Sequence, residues 1–235
     1  MEKIDFSLYS HYVEQIFEHK SHFVHPTNHF QMSSRFIIER MSENDREKVL
    51  NLLLNSFFQD EPLAKHLQLG KPIDFAENIF NDALKDQCSF VAYDNQTKDL
   101  VGICLNEIQY EHDQHVMINQ TDEKILFILQ FLNNMHLKHN LFQLFQTDSL
   151  IHVFIINVEK NYRGYGIGSQ LISASIEHAK KINIKGLYAE ATNIYSLNCF
   201  KQQGFQVYHQ VNYIEYDPIR FENLNDQCHL VGRPL

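Results

Sequence analysis

The chain has 235 residues, 44% of them apolar, which is enough for one substantial core and, by default, one domain. Its 20 Lys and Arg against 29 Asp and Glu leave a net charge of −9, which argues against nucleic acid and anionic membrane as partners and favours a cationic small molecule. Four scattered cysteines, Cys88, Cys104, Cys199 and Cys228, the charged start Met1-Glu2-Lys3-Ile4-Asp5 and the lack of any apolar run of membrane-spanning length fit a soluble, cytoplasmic chain with reduced thiols.

Residues 1–33 read as an N-terminal extension, a helix and then a loop, carrying His11, His19, His22, His25 and His29. Residues 35–41 alternate as a first strand. Ser42 and Asp45 then stand in a capping-box arrangement, with Asp where Glu is usual, before an apolar period through Val49, Leu50, Leu53, Leu54 and Phe57. This helix should stop near Pro62. A residue before proline is pushed out of the α region, so Glu61 is expected to be extended and to point away from the helix axis. A second helix is expected over 73–84, and strands at 89–93 and 100–108 are joined by a polar turn as a hairpin. Residues 111–120 read as a loop, and Ile125, Leu126, Ile128, Leu129 and Leu132 mark a helix that lines the core or a pocket.

Residues 150–158 are rich in β-branched residues and Phe, as a buried strand should be. They feed Asn161-Tyr162-Arg163-Gly164-Tyr165-Gly166-Ile167-Gly168-Ser169, after which Leu171, Ile172, Ser175, Ile176 and Ala179 recur at helical spacing. A glycine-rich strand-to-helix turn lets backbone approach a ligand and offers unpaired N–H groups at a positive dipole end, a setting for a phosphate. The dinucleotide pattern G-x-G-x-x-G fails because its third glycine would fall at Ser169, and the nucleotide-hydrolase loop fails for want of Gly-Lys-Ser/Thr. A short strand at 186–190, a helix at 196–203 closed by Gly204, and strands at 205–216 and 228–231 complete the chain.

Arg163, Gly166 and Gly168 form Arg-x-x-Gly-x-Gly, which resembles the coenzyme A motif of the GNAT superfamily of N-acetyltransferases. The order of elements agrees with that superfamily from about residue 34 to 235. Phe57-Phe58-Gln59-Asp60-Glu61-Pro62-Leu63, Asn161-Tyr162-Arg163-Gly164, and Tyr195-Ser196 with Gly204-Phe205 downstream are similar to segments of insect-type arylalkylamine N-acetyltransferases. The resemblance implies an α/β GNAT domain over 34–235, with a mixed, mostly antiparallel seven-stranded sheet flanked by helices and splayed between strands 4 and 5. It also implies acetyl-CoA as co-substrate and a chain that acetylates a small-molecule primary amine such as dopamine, serotonin or tyramine by direct attack. A monomer is expected, and no metal, because His19, His22, His25, His29 and the pairs His112/His115 and His136/His139 are joined by no obvious Cys or carboxylate ligand set.

Amine acetylation needs a base for the ammonium, a polarised thioester carbonyl and an acid for the leaving thiolate. By resemblance, Glu61 is the base, acting through ordered water, with Glu159 a weaker alternative. Backbone groups of Ile156, Asn157 and Val158 meet the pantetheine arm. The amides of Arg163, Gly164, Tyr165, Gly166, Ile167, Gly168 and Ser169 hold the diphosphate, with charge from the Arg163 side chain, and Asn193 completes the cofactor site. Ser196 or Tyr195 serves as acid, and Thr192 stands where the insect-type proteins usually have Ser. Plain structural roles remain open for these residues, a solvated helix-end carboxylate for Glu61 and helix capping for the three hydroxyls. The same cofactor residues would serve a polyamine or small aliphatic amine acetyltransferase, or a coenzyme-A-binding module without turnover.

Overall fold

The computed structural model describes residues 35–112 and 122–235. The helix and loop expected over 1–33, and all but the first two residues of the loop expected over 111–120, lie outside the described residues. Strand β1 (Phe36–Arg40) leads to a 3-10 turn, Glu43–Asp45, in which Ser42 N donates to Asp45 Oδ2 at 2.8 Å. The shorter Asp arm thus closes a tight first turn before α1 (Arg46–Leu52). The helix then widens into a π segment, Leu53–Phe57, and ends in one further turn, Phe58–Asp60. Glu61 leaves the axis at φ −64°, ψ 126°, as Pro62 requires, and opens α2 (Pro62–His66).

Helix α3 (Ile73–Lys85) precedes the hairpin of β2 (Phe90–Asp94) and β3 (Leu100–Tyr110). Next come α4 (Glu123–Asn134), a short α5 (Leu141–Phe145) absent from the sequence reading, and β4 (Ser149–Val158). Helix α6 (Ile167–Lys181), β5 (Gly186–Ala191) and α7 (Ile194–Gln202) follow. The strand expected over 205–216 is cut short. β6 (Gln206–Asn212) stops where the Asn212 side chain accepts from Ile214 N and starts the helical turn α8 (Tyr213–Tyr216). The last strand is β7 (Gln227–Pro234).

The seven strands form one sheet in the order β1-β2-β3-β4-β5-β7-β6, antiparallel except for β4 against β5. That parallel pair is laddered only at Ile151 with Leu187 and His152 with Tyr188, after which the strands part. The sheet is therefore mixed, mostly antiparallel and splayed between strands 4 and 5, as the family resemblance implies.

A bulge decides what faces the splay. Leu105 pairs with Ile155 but Asn106 with Val153, so Phe154 is an extra residue on β4 and the inside-outside alternation reverses there. Ile151, Val153, Ile156 and Val158 consequently pack toward α6 with Leu171, Ile172 and Ala189. On the opposite face, Ile155 joins Val49, Leu53, Phe80 and Ile103 beneath α1 and α3. A third cluster, with Leu63, Phe131, Tyr188, Tyr213, Phe221 and Leu230, fills that face under β5 and β7.

Candidate active site

The glycine turn enters α6 through two left-handed residues, Gly164 at φ 84° and Gly166 at φ 76°, with open space where a Cβ would stand on either. The first backbone bond of the helix runs from Gln170 N to Gly166 O, and among the described residues the amides from Gly164 to Ser169 meet no acceptor. Six N–H groups at a helix start, unobstructed by side chains, fit a diphosphate. Gly168 differs, since a Cβ there would reach Cys199 Sγ at an ordinary 3.5 Å. The Arg163 side chain, expected to add charge at the diphosphate site, is engaged on the protein. Its Nε donates to Val158 O at 2.9 Å and its Nη2 to Asp60 Oδ2 at 2.6 Å, which ties the turn to the residue before Glu61.

The β4 edge beside this turn presents alternate residues. Glu159 N donates to Val101 O, so the antiparallel ladder also claims Asn157, while Ile156 and Val158 turn their backbone groups toward the splay. The expectation that Asn157 meets the pantetheine arm is corrected accordingly. Its backbone faces β3 and its side chain donates to Ser56 Oγ, in the π segment, at 3.0 Å. Glu159 has both oxygens engaged at the cap of a 3-10 turn, accepting from Asn161 N at 2.8 Å and from Asn161 Nδ2 at 3.3 Å, unlike Glu61.

Glu61 caps α2 with one oxygen only. Its Oε2 accepts from Ala64 N at 2.7 Å, whereas Oε1 is buried and makes no hydrogen bond of full geometry among the described residues, the Leu63 N–H and the Thr192 hydroxyl standing near the carboxylate as weaker donors. A buried carboxylate oxygen without a partner is costly, and such positions are often sites that receive a proton or a water. Burial raises the Glu61 pKa above the usual carboxylate value, and the N–H groups of Ala64 and Leu63 and the Thr192 hydroxyl offset only part of that rise. The solvated-carboxylate alternative therefore fails, and the capping role leaves one oxygen unused.

Thr192 follows the end of β5, and its carbonyl accepts from the Tyr213 hydroxyl at 2.8 Å. Tyr213 is completely buried and packs beside Cys228. The cap of α7 is Asn193, whose Oδ1 accepts from Tyr195 N and Ser196 N, both at 2.9 Å. Its side chain is thereby occupied, and the capping role considered for Thr192, Tyr195 and Ser196 belongs to it. Ser196 Oγ donates to Asn193 O at 3.0 Å, and Tyr195 is 81% exposed. The chain thus brings Glu61 and Thr192 together, sets Ser196 one turn beyond, and leaves Tyr195 in solvent.

Residues 48–205, more than half of the chain, match the Acetyltransferase (GNAT) family. The chain belongs to the GNAT acetyltransferase family. This GNAT protein is an N-acetyltransferase. Its structure is similar to that of arylalkylamine N-acetyltransferase 2 from Aedes aegypti, at 26% identity and a TM-score of 0.77, over 85% of this chain and 98% of the other. Putative arylalkylamine N-acetyltransferase 7 from the same mosquito shares the fold at 18% identity and a TM-score of 0.79, over 85% and 87%. The Drosophila melanogaster polyamine N-acetyltransferase that forms N-acetylagmatine does so at 16% and 0.72, over 85% and 100%.

The sequence reading of the GNAT chain missed a buried polar cluster on the Glu61 side of the sheet. His152 Nδ1 lies 2.9 Å from Glu107 Oε1 and its Nε2 lies 2.7 Å from Glu190 Oε2, while the other Glu190 oxygen pairs with His136 Nε2. The His152 ring stacks on Tyr188 at 4.5 Å and 5°. Burial alone would lower the His152 pKa, but Glu190 and Glu107 overcome it and raise the group to about 10. Burial likewise opposes the charge of Glu190, yet His152 and His136 hold its carboxyl well below the usual range. A raised folded-state pKa for histidine gives stability that is full below about 6.5 and is lost as pH rises through the raised value. Thermal midpoints of the wild type are thus expected to fall between about pH 6.5 and 10, more steeply than those of His152→Gln, and the difference should level off above that window. Parallel alkaline slopes in the two proteins would contradict this assignment.

Proposed function

We propose that this GNAT enzyme transfers acetyl from acetyl-CoA to a primary arylalkylamine, such as tyramine, dopamine or serotonin, by direct attack in a ternary complex. The observation that carries the reading is the buried, unpartnered oxygen of Glu61 beside Thr192. Bound acetyl-CoA supplies the activated thioester. The amides from Gly164 to Ser169 bind its diphosphate, and the Ile156 backbone and the Val158 N–H offer hydrogen bonds to its arm along the open β4 edge, the Val158 carbonyl being held by Arg163. Glu61, whose buried carboxylate is a stronger base than an ordinary one because burial raises its pKa, takes the proton that the ammonium must lose, directly or through ordered water. As the C–N bond forms and the C–S bond breaks, Ser196 turns its O–H away from Asn193 O, gives that proton to the departing sulfur and is reprotonated by the second proton that the acetylated nitrogen loses, while Glu61 releases its proton to solvent.

The aromatic preference is supported by a wall of rings beside the Glu61 segment. Phe127, Phe131, Tyr213, Tyr216 and Phe221 pack on one another with centroids 4.8–6.4 Å apart, in the cluster that also holds Leu63. The name of the Aedes aegypti relative points the same way. In this reading residues 34–235 are the catalytic domain and 1–33 an extension, and the enzyme acts as a cytoplasmic monomer. Thiol release from acetyl-CoA with a panel of amines tests it. Tyramine should exceed spermidine in kcat/KM by about tenfold or more. The reverse order would transfer the assignment to polyamines, and folded protein with no amine-dependent release would defeat it.

A further inference from the structure

Between β4 and β5 the sheet is held by two laddered positions, and just beyond them side chains span the gap. His152 pairs across the ladder with Glu107 on one side and with Tyr188 on the other. Glu190 is the next residue of β5 on the same face, past the last laddered pair, and its carboxylate still reaches back to β4, through His152. His136, just after α4, grips the second oxygen, so the Glu190 carboxylate is bound on both sides and its side chain is only 6% exposed. Glu107 also accepts from Gln109 Nε2 at 2.7 Å, and the Tyr188 hydroxyl donates to Gln109 Oε1. No side-chain N or O of this cluster is left buried without a partner.

Two residues beyond Glu190 lies Thr192, followed by the Asn193 cap and Ser196, and Cys228 lies within electrostatic reach of both Glu190 and Glu61. Opposite stands the open edge of β4. We propose that the bridge of Glu107, His152, Glu190 and His136 pins the mouth of the splay, and that His152 and Glu190 are positioning residues that hold the end of β5 at the correct distance from the β4 edge and Glu61. A buried ionic bridge adds little stability over a hydrophobic filling of the same volume, and in this fold its directional bonds to three strands serve to fix geometry. Catalysis is sensitive to that geometry, because a misplacement of about 1 Å can cost 10²-fold in rate. The proposal rests on acetyl-CoA occupying the splay, as in the proposed function.

The test compares wild type with Glu190→Gln, His152→Gln and the double variant, using coenzyme A titration calorimetry, hydrogen exchange of amides 189–193 and turnover of acetyl-CoA with tyramine. Each single variant, folded, should lose about 10- to 100-fold in kcat, exchange faster at 189–193 than elsewhere in the sheet, and bind coenzyme A more weakly. The double variant, whose neutral amides can bond to each other, should recover part of each loss. If Glu190→Gln does not fold, His136→Asn, which alters only the partly exposed partner, should show the same local exchange and a smaller loss. Unchanged kcat and affinity in folded single variants, or exchange that rises uniformly through the sheet, would overturn the pin. A wild type that binds coenzyme A but acetylates no amine would bring down the underlying reading as well.

Discussion

Glu61→Gln is expected to lower kcat/KM for the amine by about 10²- to 10⁴-fold, the range typical of removing a general base. The substitution isolates proton transfer from folding. The glutamine carbonyl can still accept from Ala64 N, so the cap of α2 and the extended turn at Pro62 persist, and the thermal midpoint should move little. The affinity for coenzyme A should also be unchanged, since the diphosphate turn and the β4 edge lie outside the substituted group. Steady-state kinetics and calorimetry on the folded variant decide the matter. Equal kcat/KM in variant and wild type would remove Glu61 from the reaction.

The pH profile gives an independent sign. Burial raises the Glu61 pKa, so the carboxyl stays protonated, and unable to act as base, to a higher pH than an ordinary carboxylate would. The acidic limb of kcat/KM should therefore lie above about 4.5 in the wild type. In Glu61→Gln that limb should vanish from the residual activity. A limb that survives unchanged would assign it to another group.

Several of these parts were legible before any coordinates. Pro62 alone dictates that Glu61 leaves the helix, and the β-branched run into a glycine turn locates the strand, the anion site and the next helix. Other parts depend on register. Asn157 follows Ile156 in sequence, but only the extra residue at Phe154 and the bond from Glu159 N to Val101 O show that its backbone belongs to the β3 ladder. His152, Glu107 and Glu190 come from three strands, and no local pattern announces that they meet. Tyr213 looked like the continuation of an apolar strand, because a single Asn212 side chain suffices to turn that strand into a helix. The π segment before Glu61 had the spacing of an ordinary helix, so the link from Ser56 to Asn157 was invisible as well.

Gly166→Val should weaken acetyl-CoA binding by about 10- to 100-fold. Gly166 holds φ 76°, ψ 11°, and a β-branched residue adopts that conformation only at a cost of about 1–3 kcal/mol. The space around the missing Cβ is open, so the cost is backbone strain and not collision. In the free enzyme the exposed turn can relieve the strain by changing conformation, which redirects the amides from Gly164 to Ser169. Binding a diphosphate then has to restore the strained form, so the strain appears as lost affinity at about 1.4 kcal/mol for each factor of ten. S-acetylpantetheine separates this effect from general damage, because it carries the thioester and the arm but no diphosphate. Turnover with that truncated donor should be nearly equal in Gly166→Val and wild type, while turnover at low acetyl-CoA falls. Equal losses with both donors would mean that the turn shapes the whole cleft, and no loss with either would exclude it as the diphosphate site.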